Sequence, residues 1–242
     1  MSRALERWAS RIDGLAACLL LAVSTSARAQ DSAGALTKEN LDLPYDALGE
    51  DEEEEEAPEV VSFYGQSLEG DGFFYAIDRS GSMLDSGELT LAKQEVTKNI
   101  SEFTDRVQFG VVFFAREAVK FPPGGQPADA TPALKSSAIS WVNSAQGSHG
   151  SCPQTGLIAA LQMANQASAK RKVLVYLGDG GGNCAGVDEG TYLSQTLAVV
   201  TSQNFQRITI NTIGVLSYGQ IQEKFLRNLA ASNGGTYTKI SR

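Results

Sequence analysis

The stretch FFYAIDRSGSM, residues 73–83, decides what kind of fold this chain can adopt. Its first five residues are mostly apolar, which is typical of a strand buried on both faces of a sheet. Asp78 follows directly, and Ser80 and Ser82 come two and four residues after it. One carboxylate and two hydroxyls are oxygen ligands of the kind that hard divalent cations take in proteins. The stretch therefore predicts a buried strand that ends at a cation site.

Strand and helix patterns alternate along the chain from residue 60 onward. Strand-like runs occupy residues 73–77, 107–115, 172–178, 208–215 and 236–240, with 118–122 as a short hairpin partner. Alternation with short connections predicts an α/β fold. We expect a doubly wound, Rossmann-like sandwich of three layers, in which helices flank a mostly parallel central sheet with one short antiparallel edge strand.

Apolar residues at spacings of three and four predict five helices between the strands. We expect Asp85 and Glu88 to form a capping box at the start of the first helix. Thr131 and Pro132 are expected to open the second helix. In the fifth helix, Ile221 is predicted to belong to the buried apolar stripe.

Residues 1–29 have the composition of an export signal. Arginines precede a ten-residue apolar run, Gly14–Val23, and Ala27-Arg28-Ala29 has the small residues of a cleavage site. We therefore expect a secreted, periplasmic or cell-surface protein. An uncleaved anchor is the alternative, but the run is about half of the roughly 20 apolar residues that a spanning helix needs, so no stable membrane span is expected. Leu15–Cys18 also resembles a bacterial lipoprotein signal.

Residues 30–59 carry twelve acidic residues and one lysine, including the unbroken run Glu50–Glu56. Like charges at this density resist collapse, so a disordered acidic linker is predicted. It is either a spacer or a tail that collects calcium or binds a partner. Because the predicted domain, residues 60–242, is close to neutral within a net charge of −8, it lacks the basic surface of a nucleic-acid-binding protein, and no such partner is expected.

Three polar loops are predicted to lie at one edge of the sheet. They are residues 78–82, 147–156 and 178–184, with the sequences DRSGS, GSHGSCPQTG and GDGGGNC. In an open α/β sheet, ligands bind outside the carboxyl ends of the strands, where the strand order reverses. Each loop alone is typical of an ordinary turn, but the three together predict a binding site.

Together, the element order and the three loops resemble the von Willebrand factor A domain, also called the integrin inserted-domain fold, and its metal-ion-dependent adhesion site (MIDAS). The resemblance covers about residues 60–240. In that family the first loop reads Asp-x-Ser-x-Ser, which Asp78, Ser80 and Ser82 match in full. The three residues are therefore implied to be metal ligands.

The resemblance also implies one ligand in each of the other two loops. Ser151 takes the role of the threonine in the family's second loop, with Thr155 as the alternative. Asp179 is the implied ligand of the third loop. Gly178, directly before it, departs from the family pattern, which has a threonine or serine there.

The resemblance implies a protein-binding domain and not an enzyme. Oxygen ligands select Mg²⁺, Ca²⁺ or Mn²⁺ over zinc or copper, and Mg²⁺ is the ion we expect. Of the five implied ligands, only Asp78 and Asp179 are charged, so the protein at most balances the charge of the ion. An aspartate or glutamate of a protein partner would then complete its coordination.

The mature chain would contain two cysteines, Cys152 and Cys184, because Cys18 leaves with the signal. One cysteine pair in an exported protein predicts a disulfide, which would tie the second loop to the third. Zinc bound by the two thiols and His149 is the alternative, but it lacks a convincing fourth ligand.

A secreted hydrolase is the alternative from a different class. It would use Ser80 or Ser82 as the nucleophile, His149 as the base and Asp179 as the orienting acid. The sequence around Ser80 lacks the Gly-x-Ser-x-Gly motif that exposes a nucleophile above an α/β sheet. Residues 180–182 likewise match neither common nucleotide-binding glycine motif. We therefore predict no catalytic residue.

Overall fold

A computed structural model describes residues 57–184, 186–215 and 219–240. The predicted signal peptide and most of the predicted linker lie outside these ranges. Within them, no helix combines the length and the apolar composition that crossing a membrane requires.

The described residues form nine strands and six helices. In chain order these are β1 (Glu59–Phe63), β2 (Gln66–Gly70), β3 (Gly72–Asp78), α1 (Gly81–Asp85), α2 (Glu88–Glu102), β4 (Gln108–Phe114), β5 (Ala118–Phe121), β6 (Ala128–Asp129), α3 (Pro132–Ser144), α4 (Pro153–Gln166), β7 (Lys172–Gly178), α5 (Glu189–Gln203), β8 (Thr209–Val215), α6 (Gln220–Ser232) and β9 (Tyr237–Ile240).

The main sheet has the strand order β5-β4-β3-β7-β8-β9, and β6 also pairs with β4. Strands β4, β3, β7, β8 and β9 are parallel to one another, whereas β5 and β6 are antiparallel to β4. This confirms the predicted α/β fold with a mostly parallel sheet and an antiparallel edge. Strand β3 lies between β4 and β7, and all seven of its residues are buried, which explains its continuous apolar sequence.

Each face of the sheet has its own core. Phe74 and Ala76 of β3 pack with α4, α5 and α6 on one face. Phe73, Tyr75 and Ile77 point to the other face, where they pack with α2, α3 and the β1–β2 hairpin. This alternation follows from the two-residue period of a strand. The helices therefore hold β3 in place from both sides, and with it the loop that begins at Asp78.

The β1–β2 hairpin was not predicted. It begins at Glu59, one residue before the predicted start of the domain, and buries Val61, Phe63 and Leu68 in the core. Tyr64 and Gly65 connect its strands, both with positive φ, as a tight two-residue hairpin turn requires. The hairpin covers part of the sheet face that α2 and α3 leave open.

Three local predictions about helices have different outcomes. The Thr131 hydroxyl accepts a hydrogen bond from the Leu134 N–H at the start of α3, which confirms the predicted cap. The capping box of Asp85 and Glu88 is wrong, because Asp85 ends the separate helix α1 and a left-handed residue, Gly87, precedes α2. The prediction for Ile221 is also wrong, since its side chain is 52% exposed at the first turn of α6.

Candidate metal-binding site

The first loop begins where β3 ends, at Asp78, whose side chain is completely buried. The Ser80 N–H donates to Asp78 Oδ1 at 2.7 Å, which turns the chain back over the carboxylate. The hydroxyl oxygens of Ser80 and Ser82 lie 3.1 Å apart. Ser80 is buried and Ser82 is exposed. The loop therefore aligns three oxygen-bearing side chains from the interior to the surface.

The third loop lies beside the first because β7 pairs in parallel with β3. Ser82 donates its hydroxyl proton to Asp179 Oδ2 at 2.6 Å, and the Gly181 N–H donates to Oδ1 at 2.8 Å. A Cβ atom at Gly178 would lie 2.8 Å from the Cβ atom of Asp78. A hydroxyl residue at position 178 would therefore collide with Asp78, which gives the departure from the family pattern a physical reason.

The second loop contributes Ser151, two residues before the start of α4. Its hydroxyl oxygen lies 3.1 Å from Asp78 Oδ2 and 2.8 Å from the carbonyl oxygen of Gly181. Thr155 is exposed in the first turn of α4 and lines a separate groove beside Ala118 and Lys120 of β5. Of the two alternatives in this loop, the structure brings Ser151 to Asp78 and leaves Thr155 outside the cluster.

The second and third loops are tied together at several points. A disulfide joins Cys152 to Cys184, with 5.6 Å between their Cα atoms, as predicted from the cysteine count. The Ser151 N–H donates to Asn183 Oδ1 at 3.1 Å, and the Asn183 N–H donates to the Ser151 carbonyl at 3.0 Å. We did not predict the role of Asn183. Its position next to a predicted disulfide cysteine was the available signal.

Arg79 joins the first loop to its surroundings. Its N–H donates to the carbonyl of Phe114, and its own carbonyl accepts from the Ser148 N–H. Its guanidinium donates to the carbonyl of Gln146 at 3.0 Å. The Arg79 side chain thus connects the first loop to the second and is not directed at the carboxylates.

Burial dominates the electrostatics of the site. Burial, followed by the nearby charge of Asp179, raises the pKa of Asp78 from 3.8 to about 7. Hydrogen bonds from Ser80 and Ser151 act in the opposite direction but do not compensate. Two carboxylates so close to one another repel when both are ionised, and a bound cation would remove that repulsion.

The donor set suits a hard cation. Asp78, Ser80, Ser82, Ser151 and Asp179 supply only oxygen atoms, and within residues 57–184, 186–215 and 219–240 no group of three or more His, Cys, Asp or Glu side chains is placed to hold a metal. The cysteines are bonded to each other, so they offer no thiolate to zinc.

The described residues show no hydrogen bond between His149 and the serines that the hydrolase alternative requires. His149 is exposed, and Ser82 donates to Asp179 instead of to an imidazole. The predicted hydrolase needs His149 as a base within hydrogen-bonding reach of its serine, and the structure does not place His149 there.

The sequence profile of the von Willebrand factor type A domain matches residues 74–242. The chain belongs to this family, as the three loops and the element order predicted. No curated protein sequence matches the chain.

Solved structures share the fold at low sequence identity. A von Willebrand factor type A protein from Catenulispora acidiphila gives a TM-score of 0.63 at 23% identity, over 73% of this chain and 40% of that chain. The pilus adhesin SpaC from Lactobacillus rhamnosus GG gives 0.57 at 13% identity, over 77% and 29%. Proximal thread matrix protein 1 from the mussel byssus, solved with a zinc-occupied MIDAS motif, gives 0.51 at 20% identity, over 70% and 41%. This chain therefore spans less than half the length of each of them.

Proposed function

We propose that this domain binds a divalent cation at the carboxyl edge of its sheet and uses it to bind an acidic residue of a protein partner. The cation would be held by Asp78, Ser80, Ser82, Ser151 and Asp179. Mg²⁺ is the expected ion, with Ca²⁺ and Mn²⁺ as alternatives. The domain would act outside the cytoplasm, at the cell surface or after secretion, as an adhesion module and not as an enzyme.

The observation that carries this proposal is that three separate loops meet around the buried carboxylate of Asp78. Ser80 and Ser151 hydrogen-bond Asp78 from two different loops, and Ser82 reaches across to Asp179. A buried carboxylate with a raised pKa is costly to keep in a site that only closes turns. A cation in contact with both aspartates would offset that cost.

Charge and exposure together favour an acidic ligand from outside. Two aspartates at most balance a divalent ion, and three neutral hydroxyls add no charge. Asp78, Ser80 and Ser151 are buried, whereas Ser82 is exposed and Asp179 is half-buried. The open side of the site therefore faces solvent, where the side chain of an aspartate or glutamate from a partner could reach the ion. The pilus adhesin SpaC and the mussel matrix protein, which share this fold, support an extracellular binding role.

Titration calorimetry with Mg²⁺, Ca²⁺, Mn²⁺ and Zn²⁺ tests the metal site. We expect saturable binding of one ion by the wild type and none by Asp78→Ala. Asp85→Ala removes an exposed carboxylate just beyond the first loop and should bind as the wild type does. The absence of saturable binding to the wild-type protein would overturn the proposal.

Capture of partners from surface and secreted fractions tests the adhesion role. Binding should require the metal, disappear in excess chelator and be lost with Asp78→Ala. His149→Ala should bind as the wild type does. If chelator leaves the captured proteins unchanged, the metal does not bridge the partner.

A further inference from the structure

Glu189, the first residue of α5, connects the third loop to two helices. Its Oε1 atom accepts from the Gly182 N–H at 3.0 Å. Its Oε2 atom accepts from Gln222 Nε2 of α6 at 2.6 Å. Both carboxylate oxygens are therefore used, one on the loop and one on the neighbouring helix.

The third loop lies directly against α6. Gly180 has a φ of +71°, and a Cβ atom there would lie 3.0 Å from Leu226 Cγ and 3.2 Å from the carbonyl oxygen of Gln222. The loop backbone thus rests directly on α6. Glu189 holds the same loop two residues further on.

The bond to Gly182 matters because of the peptide unit that it holds. The Gly182 N–H and the Gly181 carbonyl belong to one planar group, in which they point in opposite directions. Glu189 accepts from the N–H on one side, and the Ser151 hydroxyl lies 2.8 Å from the carbonyl on the other. Glu189 therefore sets the direction in which the Gly181 carbonyl points.

A serine can coordinate a cation only through its lone pairs, so its proton has to be directed elsewhere. The Ser151 hydroxyl has two acceptors within reach, Asp78 Oδ2 at 3.1 Å and the Gly181 carbonyl at 2.8 Å. In the metal-bound site the carbonyl would take the proton and leave the aspartate oxygen to the ion. We propose that Glu189 is a positioning residue of the metal site: it fixes the Gly181–Gly182 peptide so that Ser151 presents a lone pair to the ion. This inference rests on the proposed metal site and adds a residue outside its five ligands.

Two conservative variants distinguish whether Glu189 acts through the position of its carboxylate oxygen or through its negative charge. Glu189→Gln keeps an oxygen that can accept from the Gly182 N–H but loses the charge. Glu189→Asp keeps the charge but is one methylene too short to reach the loop. We expect Glu189→Asp to raise the Mg²⁺ dissociation constant by about tenfold, the lower end of the range for residues that orient metal ligands. Glu189→Gln should change it by less than about threefold.

If Glu189→Gln weakened Mg²⁺ binding more than Glu189→Asp, the charge of Glu189 and not its position would matter, and the inference would be overturned. Equal affinity of both variants and the wild type would also overturn it. The matched control is Glu223→Asp on α6, whose carboxylate bonds Arg227 and Lys239 and should leave metal affinity unchanged.

A double-mutant cycle with Ser151→Ala tests whether Glu189 affects metal binding through Ser151. If Glu189 acts through Ser151, then Glu189→Asp should cause no further loss of metal affinity once the Ser151 hydroxyl is gone, whereas additive losses would contradict that mechanism.

Hydrogen exchange of the Gly182 amide in the metal-free protein gives a measurement that needs no ion. We expect faster exchange in Glu189→Asp than in Glu189→Gln. If the wild type binds no cation, the proposed function fails, while this exchange difference still reports whether Glu189 holds the peptide.

Discussion

Asp78 is the buried carboxylate around which the site is built. It is fully buried, and its two oxygens accept hydrogen bonds from Ser80 and Ser151. These bonds favour the ionised form, but burial disfavours it more strongly, and the pKa rises to about 7. The metal-free site therefore holds a proton near neutral pH that a cation has to displace.

This raised pKa predicts how the stability of the metal-free protein depends on pH. The folded state keeps a proton on Asp78 that the unfolded state releases above about pH 4, so stability falls as the pH rises from about 4 to about 7. The loss attributable to Asp78 is at most about 4 kcal/mol. Urea denaturation in chelator should show Asp78→Asn to be as stable as the wild type at pH 4 and more stable at pH 8.

The difference between the two proteins isolates Asp78 from the other titrating groups. If the variant and the wild type lose stability in parallel between pH 4 and pH 8, Asp78 is not protonated in this range. In the wild type, Mg²⁺ should bind more weakly as the pH falls below about 7, because the ion competes with the proton.

Gly178 tests how closely the third loop has to approach the first. Gly178→Ser restores the hydroxyl that the family pattern has at this position, but its Cβ would lie 2.8 Å from that of Asp78. We expect a loss of about 1–3 kcal/mol of stability and weaker Mg²⁺ binding. Gly81→Ala is the control, since a Cβ there meets no atom within 4 Å. Tighter metal binding by Gly178→Ser would show that the loops can accommodate the hydroxyl.

At the scale of elements, the disulfide joins the start of α4 to the loop after β7. It spans a sequence separation of 32 residues, so in the chain-entropy model it contributes about 3–4 kcal/mol to stability. Replacing both cysteines with alanine should lower the free energy of unfolding by up to this amount, as denaturant titration can measure.

Metal affinity should also fall in the double alanine variant, because Cys152 adjoins Ser151 and the disulfide holds the second loop against the third. Calorimetry at a temperature where the variant is fully folded separates this effect from unfolding. An unchanged dissociation constant would mean that the hydrogen bonds of Asn183 suffice to hold the loops.

The β1–β2 hairpin is attached to α2 through Asn99, which is fully buried. Asn99 accepts from the Tyr75 hydroxyl at 3.0 Å and donates to the Ser62 carbonyl at 2.7 Å. Asn99→Ala should lower stability by about 1–3 kcal/mol, because the hydroxyl of the buried Tyr75 loses its partner Asn99. The exposed Ser101→Ala on the same helix is the control. Thermal unfolding measures both, and equal stability of the two variants would mean that the hydrogen bonds of Asn99 do not stabilise the fold.

At the scale of the whole molecule, the sheet explains why chemistry collects at one edge. Parallel strands β3 and β7 end side by side. The loop before α4 contacts the end of β3 through Asp78 and the loop after β7 through Asn183. Residues that are far apart in sequence, such as Asp78 and Asp179, thus meet at this end of the sheet. This is the general location of ligand sites in open α/β sheets.

Features with a local or periodic cause could be predicted from the sequence. Strands β3 and β7 are continuous apolar runs because both of their faces are covered, and the Thr131 cap requires only residues adjacent in the chain. The Asp-x-Ser-x-Ser spacing likewise lies within one loop. By contrast, the β1–β2 hairpin was missed, since its strands are five residues each and become buried only by packing against α2.

The sequence by itself determined the fold class, the family and the aspartate–serine loop, because periodicity and local spacing are properties of adjacent residues. Only the tertiary structure showed that Ser151 and not Thr155 lies beside Asp78, and only it placed Asn183 and Glu189 next to the second and third loops. The physical reason is that contacts such as those of Ser151 with Asp78 and with Asn183 join residues 30 or more positions apart. Such contacts are set by strand pairing and helix packing, which cannot be inferred from a short stretch of sequence.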